Sequence, residues 1–173
     1  ERGRRINKLA DLMEQNLPEL AALESLDNGK PLRDSLNADL PLSIKAYRYY
    51  AGWCDKYTAI FSSVNSTASA HFNFSVHEPT GVVAAIAPEE SPLFGLISVI
   101  APAIVGGNAV IVLASEMKAT SSISFAEVVQ NSDIPGGVIN ILTGSLVELL
   151  PHMASHMDVN ALTMTRGELD VKS

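Results

Sequence analysis

Two adjacent carboxylates, Glu89 and Glu90, lie between Pro88 and Pro92, where one run of apolar residues gives way to a second. In α/β proteins the junction between a buried strand and the following helix is a favoured place for ligands and chemistry. Paired carboxylates can act as acid and base when a pocket separates their pKa values. The two glutamates are therefore either a candidate catalytic pair or residues that mark a lost site.

The four histidines and the single cysteine are weaker candidates for chemistry. His152 and His156 are four residues apart on a predicted helix, a spacing that can bind zinc. The glutamate of a protease motif does not lie between them, so we interpret both as surface histidines. Cys54 follows Trp53 on an amphipathic segment and is interpreted as a packing residue. We therefore predict no metal site and no cysteine nucleophile in this chain.

Composition narrows the classes of function. The chain has 173 residues, of which 47% are hydrophobic, enough for one domain with a substantial core. Its net charge of −7 argues against a nucleic-acid partner. Its longest uncharged apolar run, around Leu93 to Val105, is too short to span a membrane. One cysteine excludes a disulfide framework and fits a cytoplasmic location. The first residues read as helix without an initiator methionine, so we expect a piece of a longer protein.

The second half alternates strands and helices. Continuous apolar runs predict buried strands near Val82–Ala87, Ala109–Leu113, Val138–Leu142 and Ala161–Thr165, with helical segments between them. This alternation predicts an α/β fold with a Rossmann-like, doubly wound parallel sheet and helices on both faces. The run VGGN, Val105 to Asn108, could be a phosphate loop, but we interpret it as a helix-to-strand turn.

The first half is predicted to be helical and to end in a hairpin. Apolar residues at helical spacing predict a helix in the first segment of the chain. A second helix should run from Pro18 to Leu26 and stop at Gly29. A third should run from about Ser35 to Tyr57. The aromatic residues of the third helix are interpreted as core and oligomer packing, in preference to a platform for stacking bases. The segment HFNFSVHE alternates as a strand does. The predicted parts of one domain are residues 1–58 (N-terminal helices), 59–80 (projecting β-hairpin) and 81–173 (truncated Rossmann-like part).

Long stretches resemble the N-terminal part of NAD(P)-dependent aldehyde dehydrogenases. They are LADLMEQNLPELAALESLDNGKPL, YRYYAGWCDK, EPTGVVAAIAPEESPLFGLISVIAPAIVGGNAVIVLASE, DIPGGVINILTG and SHMDVNALTMT. The resemblance implies a cofactor-binding domain with a Rossmann-like core. It also implies that the hairpin, residues 60–78, helps build a homo- or hetero-oligomer, and any further protein partner is unknown. The family's catalytic cysteine and general-base glutamate would lie beyond Ser173.

The family's oxyanion-hole motif is altered. The family usually has Pro-Trp-Asn at the end of the first buried strand, and its Asn side chain donates a hydrogen bond to the oxyanion. This chain has Pro88, Glu89 and Glu90, so Glu90 occupies the Asn position. An ionised carboxylate only accepts hydrogen bonds and would repel an oxyanion. The resemblance therefore implies no catalytic residue in this chain.

The family's cofactor-binding motifs are also altered. The family usually has Lys-Pro-(Ala/Ser)-Glu at the second strand, where Lys and Glu hold the adenine ribose. Here Glu116 matches, but Leu113 replaces the Lys. In the third strand-to-helix turn Gly144 survives, whereas Leu146 and Leu150 add bulk where the backbone should approach the cofactor closely.

After the fourth strand the family has Gly-Ser-x-x-x-Gly, which receives the pyrophosphate. Here the corresponding run starts with Arg166 and Gly167 and contains two carboxylates, Glu168 and Asp170. Glu116, Gly144 and Gly167 are therefore the only vestigial cofactor-binding positions that we assign.

These departures favour a non-catalytic aldehyde dehydrogenase-like domain with a scaffold or interaction role and no bound cofactor. It is similar to the degenerate second module of family 16 aldehyde dehydrogenases. Two alternatives stay open. The chain could be part of an active NAD(P)-dependent aldehyde dehydrogenase that oxidises aldehydes to carboxylic acids, or a sensor that binds NAD or NADP without turnover. A cysteine after Ser173 in a Gly-Gln-x-Cys context would favour the enzyme.

Overall fold

The computed structural model describes residues 1–165. The N-terminal part is helical, with helices α1 (Arg2–Gln15), α2 (Leu17–Asn28), α3 (Leu32–Asp34), α4 (Leu40–Trp53) and α5 (Tyr57–Phe61). Helix α1 buries the face that its apolar spacing predicts, through Ile6, Leu9, Ala10 and Met13. Helix α2 ends at Gly29, whose φ of 64° is the left-handed conformation that glycine adopts without strain.

The predicted helix from about Ser35 to Tyr57 is wrong in its bounds. The helical path begins at Leu32, widens into a π-helical turn over Ser35–Asp39, and continues as α4 to Trp53. Pro41 supplies the physical reason, because it has no backbone N–H and its ring clashes with the carbonyl one turn earlier. After Trp53 the Lys56 ammonium bonds the Gly52 carbonyl at 2.5 Å and helps to end the helix.

A small hairpin projects between the helical part and the sheet. Helix α5 runs past the predicted boundary at residue 58 to Phe61, so the hairpin strands begin only at Val64. Strand β1 (Val64–Asn65) pairs antiparallel with β2 (Asn73–Phe74). Both strands are exposed, and the predicted longer strand over HFNFSVHE is therefore limited to two residues.

The four predicted core strands form one parallel sheet, as expected. They are β3 (Val82–Ile86), β4 (Ala109–Leu113), β5 (Ile139–Leu142) and β6 (Ala161–Met164), in the order β5-β4-β3-β6. Helices α6 (Pro92–Val105), α7 (Thr120–Gln130) and α8 (Leu146–Ser155) connect them. The VGGN run is the predicted turn between α6 and β4, in which Gly107 has a φ of 92°.

Helices cover both faces of the sheet, as predicted. In the larger core, α6 and α7 pack on one face of the sheet, and α1 and α4 pack on the outer side of these two helices. The smaller core packs Met153 of α8 against Ala84, Ile86 and Leu113 on the other face. In the part of the chain that the structure describes, no helix has the length and apolar character of a membrane span.

Tyr47 joins α4 to α7 in the larger core. Its ring is fully buried and stacks on Phe125 with 6.1 Å between ring centroids. Burial raises the pKa of its phenol far above the usual value. Its hydroxyl has no hydrogen-bond partner among residues 1–165, and neither does that of buried Ser122 on α7. The larger core therefore contains two polar atoms that carry a desolvation cost without a matching bond.

A buried carboxylate joins α2 to the start of α7. Glu24 is fully buried and accepts hydrogen bonds from Asn28 Nδ2 at 2.9 Å and from Ser121 Oγ at 2.9 Å. The Lys30 ammonium lies 3.4 Å from the same carboxylate. Asn28 in turn accepts a bond from Lys118 Nζ at 3.0 Å. This network holds the loop that follows β4 against α2, and that loop belongs to the candidate site.

We expect Tyr47→Phe to raise the free energy of unfolding by about 0.5–2 kcal/mol, because it removes a buried hydroxyl without a partner. Chemical denaturation measures the change. Tyr49→Phe is the control, since Tyr49 is 61% exposed and its substitution should change stability by less than about 0.5 kcal/mol. A loss of stability in Tyr47→Phe would mean that the hydroxyl does have a partner.

Substitution by alanine should change the free energy of unfolding differently at two neighbouring buried serines. Ser121→Ala should lower the free energy of unfolding by about 1–3 kcal/mol, because it leaves a buried oxygen of Glu24 unpaired. Ser122→Ala should leave it unchanged or raise it, since that hydroxyl has no partner among the described residues. Equal losses in the two variants, measured by chemical denaturation, would contradict the assignment.

Candidate functional site

Three loops meet at the carboxyl edge of the sheet, because parallel strands end at the same side. They comprise residues 87–91 after β3, 114–119 after β4 and 143–145 after β5. The first loop turns tightly, since Gly95 of α6 lies against Pro88, and a Cβ at Gly95 would overlap the Pro88 ring. The sequence therefore brings the two candidate glutamates to this edge, as the strand assignment requires.

The two glutamates point to different surroundings. The Glu89 carboxylate accepts hydrogen bonds from Ser115 Oγ and from the backbone N–H of Glu116, the latter at 3.1 Å. Ser115 Oγ in turn accepts a bond from the Lys118 N–H at 3.1 Å. Glu90 is exposed. The two carboxylates therefore do not converge on one reacting atom, and this arrangement offers no paired acid and base.

Glu116, the one residue that matches the family's ribose-binding pair, is engaged within the chain. Its Oε2 accepts a hydrogen bond from the Leu146 N–H at 3.1 Å, at the first residue of α8. A carboxylate at a helix N-terminus is stabilised by the free N–H groups and the helix dipole. Gly144 has a φ of 150°, and the Leu149 side chain packs over it, 3.0 Å from where a Cβ would lie.

The residues of this edge do not fit a bound dinucleotide. Leu113, at the family's Lys position, is fully buried in the small core beneath α8. Lys118 is the only Lys or Arg between Pro88 and Leu150, and its ammonium bonds Asn28. The N-terminus of α8, where a phosphate would bind, already has a carboxylate on it. Arg166 and Gly167, the other residues assigned to the phosphate turn, lie outside the described residues.

The remaining candidates form no reactive centre. Within residues 1–165 no group of three side chains is arranged to hold a metal ion. His152 and His156 are both exposed, and His156 Nδ1 accepts a bond from the Asp158 N–H at 3.2 Å. Burial raises the pKa of the Cys54 thiol, which disfavours the thiolate. Cys54 therefore has the properties of the packing residue that the sequence predicts.

Two features of the surface were not predicted from sequence. Sequence assigns Ser115 no role, although a hydroxyl two residues after the end of a buried strand is a signal that could have found its contact with Glu89. An aromatic groove of about 260 Å³ lies between α4, α5 and the end of α6, lined by Tyr49, Tyr50, Trp53, Tyr57, Phe61, Pro102 and Val105. Phe61 also packs edge-on against His77 of the hairpin segment, with ring centroids 6.1 Å apart.

Comparison with protein families gives a match to the aldehyde dehydrogenase family over residues 1–171. The chain is 41% identical over 160 residues to the NADP/NAD-dependent aldehyde dehydrogenase PuuC of Escherichia coli, covering 92% of this chain and 32% of that protein. It is 38% identical over 165 residues to a mitochondrial aldehyde dehydrogenase of Sus scrofa, covering 95% of this chain and 31% of that protein.

The fold is also similar to solved structures. The NAD+ complex of an aldehyde dehydrogenase from Bacillus cereus superposes with a TM-score of 0.90 at 34% identity, covering 96% of this chain and 33% of that one. The chain thus spans about a third of the length of the relatives that it matches. The resemblance inferred from sequence is confirmed at the level of the family and the fold.

Proposed function

The chain belongs to the aldehyde dehydrogenase family, and from this premise we propose that it is a non-catalytic domain of that family with a scaffold or protein-interaction role. One observation carries the proposal. Glu90, at the family's oxyanion-hole Asn position, is an exposed carboxylate that accepts hydrogen bonds and donates none. Loss of one such donor costs about 10²–10³ in rate, and a negative charge there adds repulsion. The domain is, on this proposal, the counterpart of a degenerate family 16 second module.

The proposal includes weak or absent binding of NAD and NADP. Leu113 provides no cation for the ribose, and a charged hydrogen bond of that kind is worth roughly 1.5–3 kcal/mol. Leu146 and Leu150 add bulk at the turn where the backbone should approach the cofactor, and the Leu149 side chain packs over Gly144. The relative PuuC is an NADP/NAD-dependent aldehyde dehydrogenase, so the proposed departure lies in this chain's own residues.

The proposed partner surface is the hairpin segment, residues 60–78. It exposes large apolar side chains, including Val64 at 71%, Phe72 at 76% and Phe74 at 57% exposure. A two-stranded ribbon is marginally stable alone, and an exposed edge favours pairing with another chain. We propose that this segment joins the domain to a second copy or to another protein. We also propose a cytoplasmic location, which the single cysteine fits.

A second candidate has a specific observation in its favour. The chain is 41% identical to PuuC, so it could be part of an active NAD(P)-dependent aldehyde dehydrogenase that oxidises aldehydes to carboxylic acids. In that case the catalytic cysteine and the general-base glutamate of the family would come from the rest of the protein. A third possibility, a dinucleotide sensor, shares the cofactor with the second but not the turnover. Cofactor binding and turnover separate the three.

We expect NAD and NADP to bind with dissociation constants weaker than about 1 mM. Two losses of roughly 2 kcal/mol each weaken a micromolar site by about a thousandfold. The measurement is isothermal titration calorimetry on the full-length protein, with any other cofactor site in it disabled and PuuC titrated in parallel as the positive control. Micromolar binding with aldehyde turnover would favour the enzyme, and micromolar binding without turnover the sensor; either overturns the proposal.

We expect the double substitution Phe72→Ser with Phe74→Ser to raise the dissociation constant of the assembly by roughly tenfold or more, because buried aromatic side chains dominate interfaces. Sedimentation velocity over a concentration series measures it. Leu26→Ser is the matched control, since Leu26 is 77% exposed and lies on α2 away from the hairpin. An unchanged assembly in the double variant, or an equal effect of Leu26→Ser, would rule out the hairpin as the interface.

A further inference from the structure

Hydrogen bonds join the three loops of the carboxyl edge in a row. Glu89 of the first loop accepts from Ser115 and Glu116 of the second. Glu116 accepts from the N–H of Leu146, the residue that follows the third loop. Each contact is made by a carboxylate of one loop with donors of the next. The row therefore crosses the sheet edge from β3 through β4 to β5.

The donors in this row are those that an anionic ligand would need. Nucleotides are bound at such edges by hydroxyl groups, backbone N–H groups and helix N-termini. Here the Ser115 hydroxyl, the Glu116 N–H and the Leu146 N–H each already have a carboxylate acceptor. An incoming phosphate would have to displace these acceptors and would meet their negative charge.

The loop that carries Ser115 and Glu116 is also fixed by Lys118. Lys118 is the only cationic residue between Pro88 and Leu150, and its ammonium lies on Asn28 of α2. Its backbone N–H bonds Ser115 Oγ, which fixes the hydroxyl that Glu89 uses. The loop after β4 is thus fixed on one side by its contact with α2 and on the other side by the carboxylate of Glu89.

We infer that Glu89 is an internal, autoinhibitory ligand of the nucleotide crevice, a positioning residue whose carboxylate occupies Ser115 and Glu116 and thereby excludes phosphate-bearing ligands. The inference deepens the proposed function and rests on it, because it names what keeps the crevice closed. The Glu116 carboxylate occupies the backbone donor at the start of α8 in the same way. The excluded class is that of phosphate-bearing ligands, whose oxygen atoms would compete for the same donors.

The test compares Glu89→Gln and Glu89→Ala with Glu90→Gln in the full-length protein. The two Glu89 variants remove the charge or both acceptor oxygens, whereas Glu90→Gln removes an adjacent, exposed charge. The first measurement is hydrogen exchange at the Glu116 amide. It should become at least about tenfold faster in Glu89→Ala and stay unchanged in Glu90→Gln, since the Glu89 carboxylate accepts that N–H.

The second measurement uses ADP as the probe. Its dissociation constant should fall at least about tenfold in Glu89→Gln relative to the unsubstituted protein, and stay unchanged in Glu90→Gln. A contact with a merely structural role would change the melting temperature without this gain in affinity. Ser115→Ala, which removes one donor and no charge, gives a second route to faster Glu116 exchange if a Glu89 variant does not fold.

The inference requires both the faster exchange of the Glu116 amide and the gain in ADP affinity. Exchange at the Glu116 amide that stays as slow as in the unsubstituted protein, or an ADP affinity that does not rise in Glu89→Gln, overturns the inference. An equal gain in Glu90→Gln also overturns it, since the effect would then be one of net charge. The proposed function fails on a different observation, micromolar NAD binding by the unsubstituted protein, so the two failures can be told apart.

Discussion

The position of β3 between two parallel partners is the constraint on which the other elements depend. It pairs with β4 on one side and β6 on the other. Its residues alternate between the two cores: Ala85 packs on the α6 face, whereas Ala84 and Ile86 pack on the α8 face. Small side chains at the centre allow helices to approach both faces closely. Because β4, β5 and β6 all run parallel to β3, the described loops at the carboxyl ends of these strands lie at one edge of the sheet.

The packing below that edge and the polar contacts at it have separate physical origins. Strand pairing and helix packing use apolar side chains that lie below the loops, so they tolerate changes in the loops above. The changed loop residues also form contacts of their own. Leu113 contributes to the small core, and Leu149 covers the turn at Gly144. Changes of this kind in the loops leave the packing on both faces of the sheet intact.

Sequence predicted the four strands and the two-sided helical cover because continuous apolar runs and helical spacing act over many residues. It misplaced the third helix because a single proline, Pro41, changes the local hydrogen-bond pattern without altering the apolar spacing. It could identify Glu90 as an acceptor at a donor's position from the residue type alone. It could not predict that Glu89 reaches Ser115, since that contact depends on how two loops from different strands turn toward each other.

Glu116 illustrates why a matched motif residue is weak evidence for a matched role. Its identity agrees with the family's ribose-binding glutamate, yet its carboxylate accepts the N–H of Leu146 at the start of α8. In the family's motif a neighbouring lysine shares the ligand with this glutamate, and here that position is the buried Leu113. A carboxylate near a helix N-terminus is stabilised by the free N–H groups and by the helix dipole. The structure therefore shows Glu116 as a helix cap, and the ribose contact that the resemblance implies for it stays a prediction.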